Sequence, residues 1–247
     1  MVPAATPPPF PGPRRYGRLY PVARAVLGPA CSTLWHIDVQ GLDHVPATGP
    51  AVIAANHVSF LDSVFLMATL PRRITFVGKA EYLDSWKTRY LFPNVGMIPI
   101  DRSGGDASKA ALDAAAEVLA RGELFGIFPE GTRSRSGLLH RGRTGAARLA
   151  LANGAPIVPV GIKGTETIQP PDAKLPKLRA ACSLEFRPPL DPGRFAGREH
   201  DPRAARQLTD ELMFEIMQST GQTYVDQYAG ESPPADRPTD LSMAGAG

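Results

Sequence analysis

The chain is poor in the features that mark several large protein classes. It has two cysteines in 247 residues, Cys31 and Cys182, too few for a zinc cluster, and no histidine stands at a metal-ligand spacing from either. Two cysteines so far apart point to ordinary thiols in a reducing compartment rather than to a disulfide framework. No run of 18 apolar residues occurs, so no segment is expected to span a bilayer unaided. Residues 1–13 lack a basic n-region and an apolar h-region, and no secretory signal is expected there. Acids are missing from residues 1–37, which hold Arg14, Arg15, Arg18 and Arg24; that +4 against a net charge of +3 leaves −1 for the remainder. So even a balance excludes a uniformly basic nucleic-acid binder and leaves room for local basic faces. The chain is expected in the cytosol or on a membrane from its cytosolic side.

With 43% hydrophobic and 21% charged residues, the composition is globular and sufficient for a sizeable core. Prolines number 26, six of them within residues 1–13, against a usual frequency of about 5%. Residues 1–13 and 231–247 have too little to bury and are expected to be disordered tails. Residues 14–30 form a basic, amphipathic segment in which Leu19, Val22, Ala23, Val26 and Leu27 share a helical face, and Gly28-Pro29 is expected to end it. Strand-like runs follow at 34–40, 51–55, 74–77, 95–100, 124–128, 157–160 and 182–187. Helical patterns lie between or after them at 61–70, 81–92, 106–121, 144–152 and from Asp201-Pro202 onward, an N-cap followed by proline at the first helical position. This alternation predicts an α/β fold: a single domain over 31–230 with a central mixed, largely parallel sheet flanked by helices, preceded by the N-terminal amphipathic helix.

Four segments carry candidate chemistry, and the first two follow apolar strands, where α/β sheets place ligands. Asn56-His57-Val58-Ser59-Phe60-Leu61-Asp62 follows the run 51–55. Five residues turn about 140° past a full helical circle, so His57 and Asp62 meet only if the chain bends between them. The carboxylate then accepts from one imidazole nitrogen and leaves the other as a base. The other reading of Ser59-x-x-Asp62 is a capping-box variant that satisfies helix N–H groups, with Asn56 as a turn residue. Phe128-Pro129-Glu130-Gly131-Thr132-Arg133-Ser134 follows the run 124–128. From residue 128 to 148, five arginines face Glu130 alone among glycines. This is either an anion site of guanidinium and backbone N–H donors or a solvated basic loop. Gly137-x-x-x-x-Gly142-Arg143-Thr144 nearly spells a phosphate-binding P-loop, but arginine replaces the lysine and no strand leads into it. Gly96 to Ser103 reads as a strand ending in Asp101-Arg102, and Pro156 to Val160 as a proline-punctuated core strand.

In this order and spacing the four segments resemble the glycerolipid acyltransferase family typified by bacterial 1-acylglycerol-3-phosphate acyltransferases. Asn56, His57 and Asp62 match its N-H-x-x-x-x-D block, Ile98 to Arg102 its arginine-ended strand, Phe128 to Ser134 its F-P-E-G-T-R-S block and Ile157 to Val160 its apolar strand. The resemblance covers residues 34–190.

It implies transfer of a fatty acyl group from a thioester, acyl-CoA or acyl carrier protein, to the free hydroxyl of lysophosphatidic acid. His57 would be the general base and Asp62 its orienting partner; Lys79, Arg102 and Arg133 would hold the acceptor phosphate. Glu130, Gly131 and Thr132 would shape that site, Glu130 through the acceptor's polar atoms. No cofactor, metal or nucleic acid is implied. An acceptor that lives in the bilayer implies a peripheral enzyme on the cytoplasmic face of the cell membrane, with residues 14–30 at the lipid surface; simple packing of that segment on the domain fits its periodicity equally. Other acceptors, such as glycerol 3-phosphate, another lysophospholipid or a lipid-linked glycan, fit the same residues, and a non-catalytic lipid-surface protein is the alternative of a different class.

Overall fold

The computed structural model describes residues 20–79, 97–100, 107–170, 173 and 175–230. The predicted helix at 81–92, Arg102 and both predicted tails lie outside the described residues. Nine strands are described: β1 (His36–Gln40), β2 (Ala51–Ala55), β3 (Ile74–Lys79), β4 (Met97–Ile100), β5 (Leu124–Ile127), β6 (Leu139–His140), β7 (Ile157–Lys163), β8 (Ala181–Phe186) and β9 (Tyr224–Val225). Six α-helices accompany them: α1 (Tyr20–Leu34), α2 (Leu61–Thr69), α3 (Ala107–Ala120), α4 (Gly145–Asn153), α5 (Thr165–Ile168) and α6 (Pro202–Thr220). Seven strands form one sheet in the order β1-β8-β7-β2-β5-β3-β4, and β6 pairs with β9 apart from it.

Every neighbouring pair in the large sheet is parallel except β7 with β8. This is the predicted α/β class with a mixed, largely parallel sheet. The single reversal has a consequence for the site. Strands β4, β3, β5, β2 and β7 all point their C-terminal ends to one edge, and β8 and β1 start there.

Both faces of the sheet are covered, which is why the central strand reads as an unbroken apolar run rather than an alternation. All five residues of β2 are buried; Val52 and Ala54 pack toward α3, α4 and α6, and Ala51, Ile53 and Ala55 toward α1 and α2. Helix α6 opens as predicted, with Asp201 accepting from the Arg203 N–H at 2.8 Å and Pro202 in the first turn. Helix α4 stops at Gly154, whose φ of +58° suits a residue without Cβ.

The N-terminal helix departs from expectation in two ways. Gly28-Pro29 does not end it, and α1 continues to Leu34 with Pro29 inside. Proline removes the N–H that would reach the Ala25 carbonyl, and the helix runs on past it, with the Ser32 and Thr33 hydroxyls donating to the Pro29 carbonyl at 3.0 and 2.8 Å. The turn beyond is anchored by buried Cys31 and by Trp35, which meets Phe65 edge-on with centroids 5.4 Å apart. Tertiary packing overrides the local stop signal. The predicted apolar stripe also splits: Leu27 packs partly against the core beside buried Tyr20, whereas Val22 and Val26 face outward.

Candidate active site

The chain leaves β2 at Asn56, whose side chain clasps the neighbouring strand. Its Oδ1 accepts from the Ile162 N–H at 2.8 Å, and its Nδ2 donates to the Ile162 carbonyl at 2.9 Å and to Gln222 Oε1 at 3.0 Å. Asn56 is fully buried, so this residue fixes the point from which His57 projects.

The bend required between His57 and Asp62 is present. Asp62 stands in the first turn of α2 with no solvent exposure, and its Oδ2 accepts from His57 Nδ1 at 2.8 Å, the Val58 N–H at 2.8 Å and the Ser59 N–H at 2.9 Å. Its Oδ1 accepts from the Thr165 hydroxyl at 2.6 Å. The orienting geometry is present, whereas the carboxylate does not cap α2: Val58 and Ser59 precede the helix, whose N-cap Phe60 carries no side-chain cap, so Oδ2 ties down the turn and the imidazole at once. A carboxylate can only accept, so the proton belongs on Nδ1 and Nε2 carries a lone pair. Phe128 stacks on the imidazole at a centroid distance of 3.9 Å and 12° between planes, which fixes the ring's tilt. His57 is 18% exposed, enough for a reactant to reach it.

The second segment supports the first from behind. The Ser134 N–H donates to the His57 carbonyl at 2.7 Å, and Gly131 closes a turn back to the Phe128 carbonyl at 3.0 Å with φ +79°. Glu130, expected to shape the acceptor site through the acceptor's polar atoms, is turned inward in the structure. It has no solvent exposure, and its two oxygens accept from the His57 N–H at 3.1 Å and the His140 N–H at 3.0 Å. It ties the backbone at His57 to that at His140. Burial pushes its carboxyl up to about 7 against the pull of those two N–H groups, with the nearby Asp62 charge adding to the rise.

The arginine run separates into different tasks. Arg141 pairs with Asp226 at 3.5 Å and lies over Tyr228, and Arg143 also lies over that ring at 5.0 Å. Arg133 is half-exposed and has no hydrogen bond or ion pair among the described residues. Gly131 and Thr132 are exposed beside it. Lys79 closes β3 on the same sheet edge as His57, in register with Ile100, the residue before Asp101-Arg102; Arg102 itself lies outside the described residues.

Thr165, His140 and the clasp by Asn56 were not expected from sequence. Each depends on a partner in another strand or loop, and no local spacing signals it.

A family model described as Acyltransferase matches residues 36–163, more than half of the chain. The chain belongs to the acyltransferase family. It is similar to 1-acyl-sn-glycerol-3-phosphate acyltransferase alpha of Mus musculus, 30% identical over 155 residues that cover 62% of this chain and 54% of that protein. A chloroplastic 1-acyl-sn-glycerol-3-phosphate acyltransferase of Brassica napus is 31% identical over 134 residues, covering 54% of this chain and 39% of the relative. The chain thus spans about half the length of such relatives, or less. In fold this acyltransferase-family chain resembles the crystal structure of the 1-acyl-sn-glycerophosphate acyltransferase PlsC from Thermotoga maritima, with a TM-score of 0.64, 24% identity and coverage of 81% of this chain and 79% of that one.

Proposed function

We propose that the chain is an O-acyltransferase that moves a fatty acyl group from acyl-CoA or acyl carrier protein to the free hydroxyl of 1-acylglycerol 3-phosphate, giving phosphatidic acid. The observation that carries this reading is the His57–Asp62 pair, with Nδ1 held at 2.8 Å and Nε2 left to act, together with Arg133 in the loop after the adjoining strand β5, where it has no partner among the described residues. His57 Nε2 takes the proton of the acceptor hydroxyl as that oxygen attacks the thioester carbon. The carbon–sulfur bond then breaks, and the departing thiolate takes the proton back from the imidazolium. Asp62 stabilises the imidazolium between the two steps, and such proton transfer contributes roughly 10²- to 10⁴-fold. Arg133, with Lys79 and Arg102, holds the acceptor's phosphate; Gly131 and Thr132 leave the approach to it open.

Residues 31–230 form the acyltransferase domain in this reading, and the basic segment 14–30 brings it to the cytoplasmic face of the cell membrane as a peripheral protein. Val22 and Val26 are 62% and 63% exposed, and Ala25 and Pro29 on the same side are exposed too. Arg24 turns inward to the Pro71 carbonyl at 3.0 Å, which leaves the outer face of α1 without a charge. A helix face on a water-facing surface is ordinarily polar, so this face suits a lipid surface better than bulk water. No described helix is long and apolar enough to cross a membrane.

The test is an acceptor screen with one labelled acyl-CoA against lysophosphatidic acid, glycerol 3-phosphate, a neutral lysophospholipid and a lipid-linked glycan. Product with lysophosphatidic acid exceeding the others supports the reading. Anionic-liposome binding with acyl-CoA left intact would replace it with the non-catalytic lipid-surface protein.

A further inference from the structure

Residues 175–180 join α5 to β8 and present an arrangement that the reaction does not use. Leu175 and Leu178 are 81% and 61% exposed, and Lys177 and Arg179 are exposed beside them. The sequence from 173 to 181, Ala-Lys-Leu-Pro-Lys-Leu-Arg-Ala-Ala, has three cations and no acid. Single exposed leucines are common; two at this exposure among cations of one sign are not accounted for by packing.

The loop is fastened through its backbone, so its side chains are held outward. The Lys177 N–H donates to the Ile168 carbonyl at 2.8 Å, Trp35 Nε1 donates to the Lys177 carbonyl at 2.8 Å, and the Arg179 N–H donates to the Leu34 carbonyl at 2.8 Å. Arg179 sits at φ +58°, a conformation an L residue keeps only when its surroundings hold it. The last bond joins the loop to the end of α1, where Leu34 is itself 37% exposed. The loop also lies on the sheet edge that carries the site: Ala181 at the start of β8 is in register with His36, and Gln169 just before the loop accepts from the Ser59 hydroxyl at 3.0 Å.

We propose that residues 175–180 are a second membrane-docking element, which inserts Leu175 and Leu178 into an anionic lipid surface and brings that surface to the sheet edge where His57 stands. This rests on the peripheral-membrane reading above and adds to it. The outer face of α1 is one short contact, and a second contact near the end of that helix fixes how the domain tilts against the bilayer. The chemistry of the loop is that of an interfacial element, leucines for the acyl boundary and Lys177 and Arg179 for anionic headgroups. Leu175 and Leu178 project from the surface at 81% and 61% exposure, which favours a lipid phase over an acidic protein partner.

The experiment measures sedimentation of the full chain with phosphatidylglycerol/phosphatidylcholine vesicles, comparing wild type with Leu175→Ser/Leu178→Ser and with Val22→Ser/Val26→Ser. The loop variant should bind vesicles at least about tenfold more weakly, while its transfer to a short-chain acceptor dissolved without vesicles keeps the wild-type kcat/KM. A second variant, Leu175→Trp, should show a blue-shifted emission increment on adding vesicles. Vesicle binding unchanged in the loop variant, or no shift from Leu175→Trp, overturns the loop's role. If only the α1 variant weakens binding, the membrane reading stands and this inference falls; no vesicle binding by wild type would remove both. Loss of binding to an acidic acyl carrier protein with vesicle binding intact would reassign the loop to a protein partner.

Discussion

Thr165 and Asp62 are 103 positions apart, yet the threonine hydroxyl donates to Oδ1 of the aspartate at 2.6 Å while Oδ2 of the same carboxylate holds His57. Both residues are fully buried. The threonine therefore governs the plane of the carboxylate, and through it the imidazole, without approaching a reactant.

Replacing the hydroxyl by a methyl group of similar size tests that relationship. Thr165→Val leaves Oδ1 buried with no donor, which costs about 1–3 kcal/mol. We expect kcat to fall roughly tenfold or more, with little change in KM for either substrate, and Thr165→Ser to recover most of it. Equal kcat for the valine and wild-type proteins would remove Thr165 as a positioning residue.

Glu130 gives a pH-dependent expectation. Its carboxyl lies at about 7 in the folded protein against an ordinary 4.5. The folded state therefore holds the proton more tightly than the unfolded chain. The stability this contributes is fully present below about 4.5 and is lost as pH rises through about 7. Glu130→Gln carries no such group. Urea unfolding across this range should show wild type losing on the order of 3 kcal/mol relative to the glutamine variant as pH rises. Parallel stability curves would contradict the assignment.

Arg133 is expected to act on acceptor binding. A charge-assisted hydrogen bond is worth about 1.5–3 kcal/mol, so Arg133→Ala should raise KM for lysophosphatidic acid by roughly 10- to 100-fold. The KM for the acyl donor should stay within about twofold. A donor-side effect alone would move Arg133 out of the phosphate site.

Much of this arrangement was legible along the chain because it is local. The run 51–55 is apolar at every position since both faces of β2 are covered, and the turn after it places His57 and Asp62 within reach by spacing alone. The strand before Phe128 is read the same way. What escaped is what the topology creates. Thr165 reaches Asp62 only because β7 lies parallel beside β2, and Asn56 clasps Ile162 for the same reason. A charged residue in a loop motif reads as a solvent-facing group, and the burial of Glu130 is not legible locally because it depends on the His57 and His140 amides closing over it. The turn at Gly28-Pro29 misled because Cys31 and Trp35 reward a longer helix with burial that no local pattern reveals. Periodicity likewise placed Val22 and Leu27 on one face, although only the fold decides which side of that face meets the core.

The most direct test of the account is acyl transfer by His57→Ala, measured with labelled acyl-CoA and lysophosphatidic acid alongside circular dichroism and thermal unfolding. We expect turnover reduced by roughly 10²- to 10⁴-fold in a protein with the wild-type fold and with acceptor binding retained. Near-normal turnover by a folded His57→Ala would contradict the central claim that Nε2 of His57 takes the acceptor's proton.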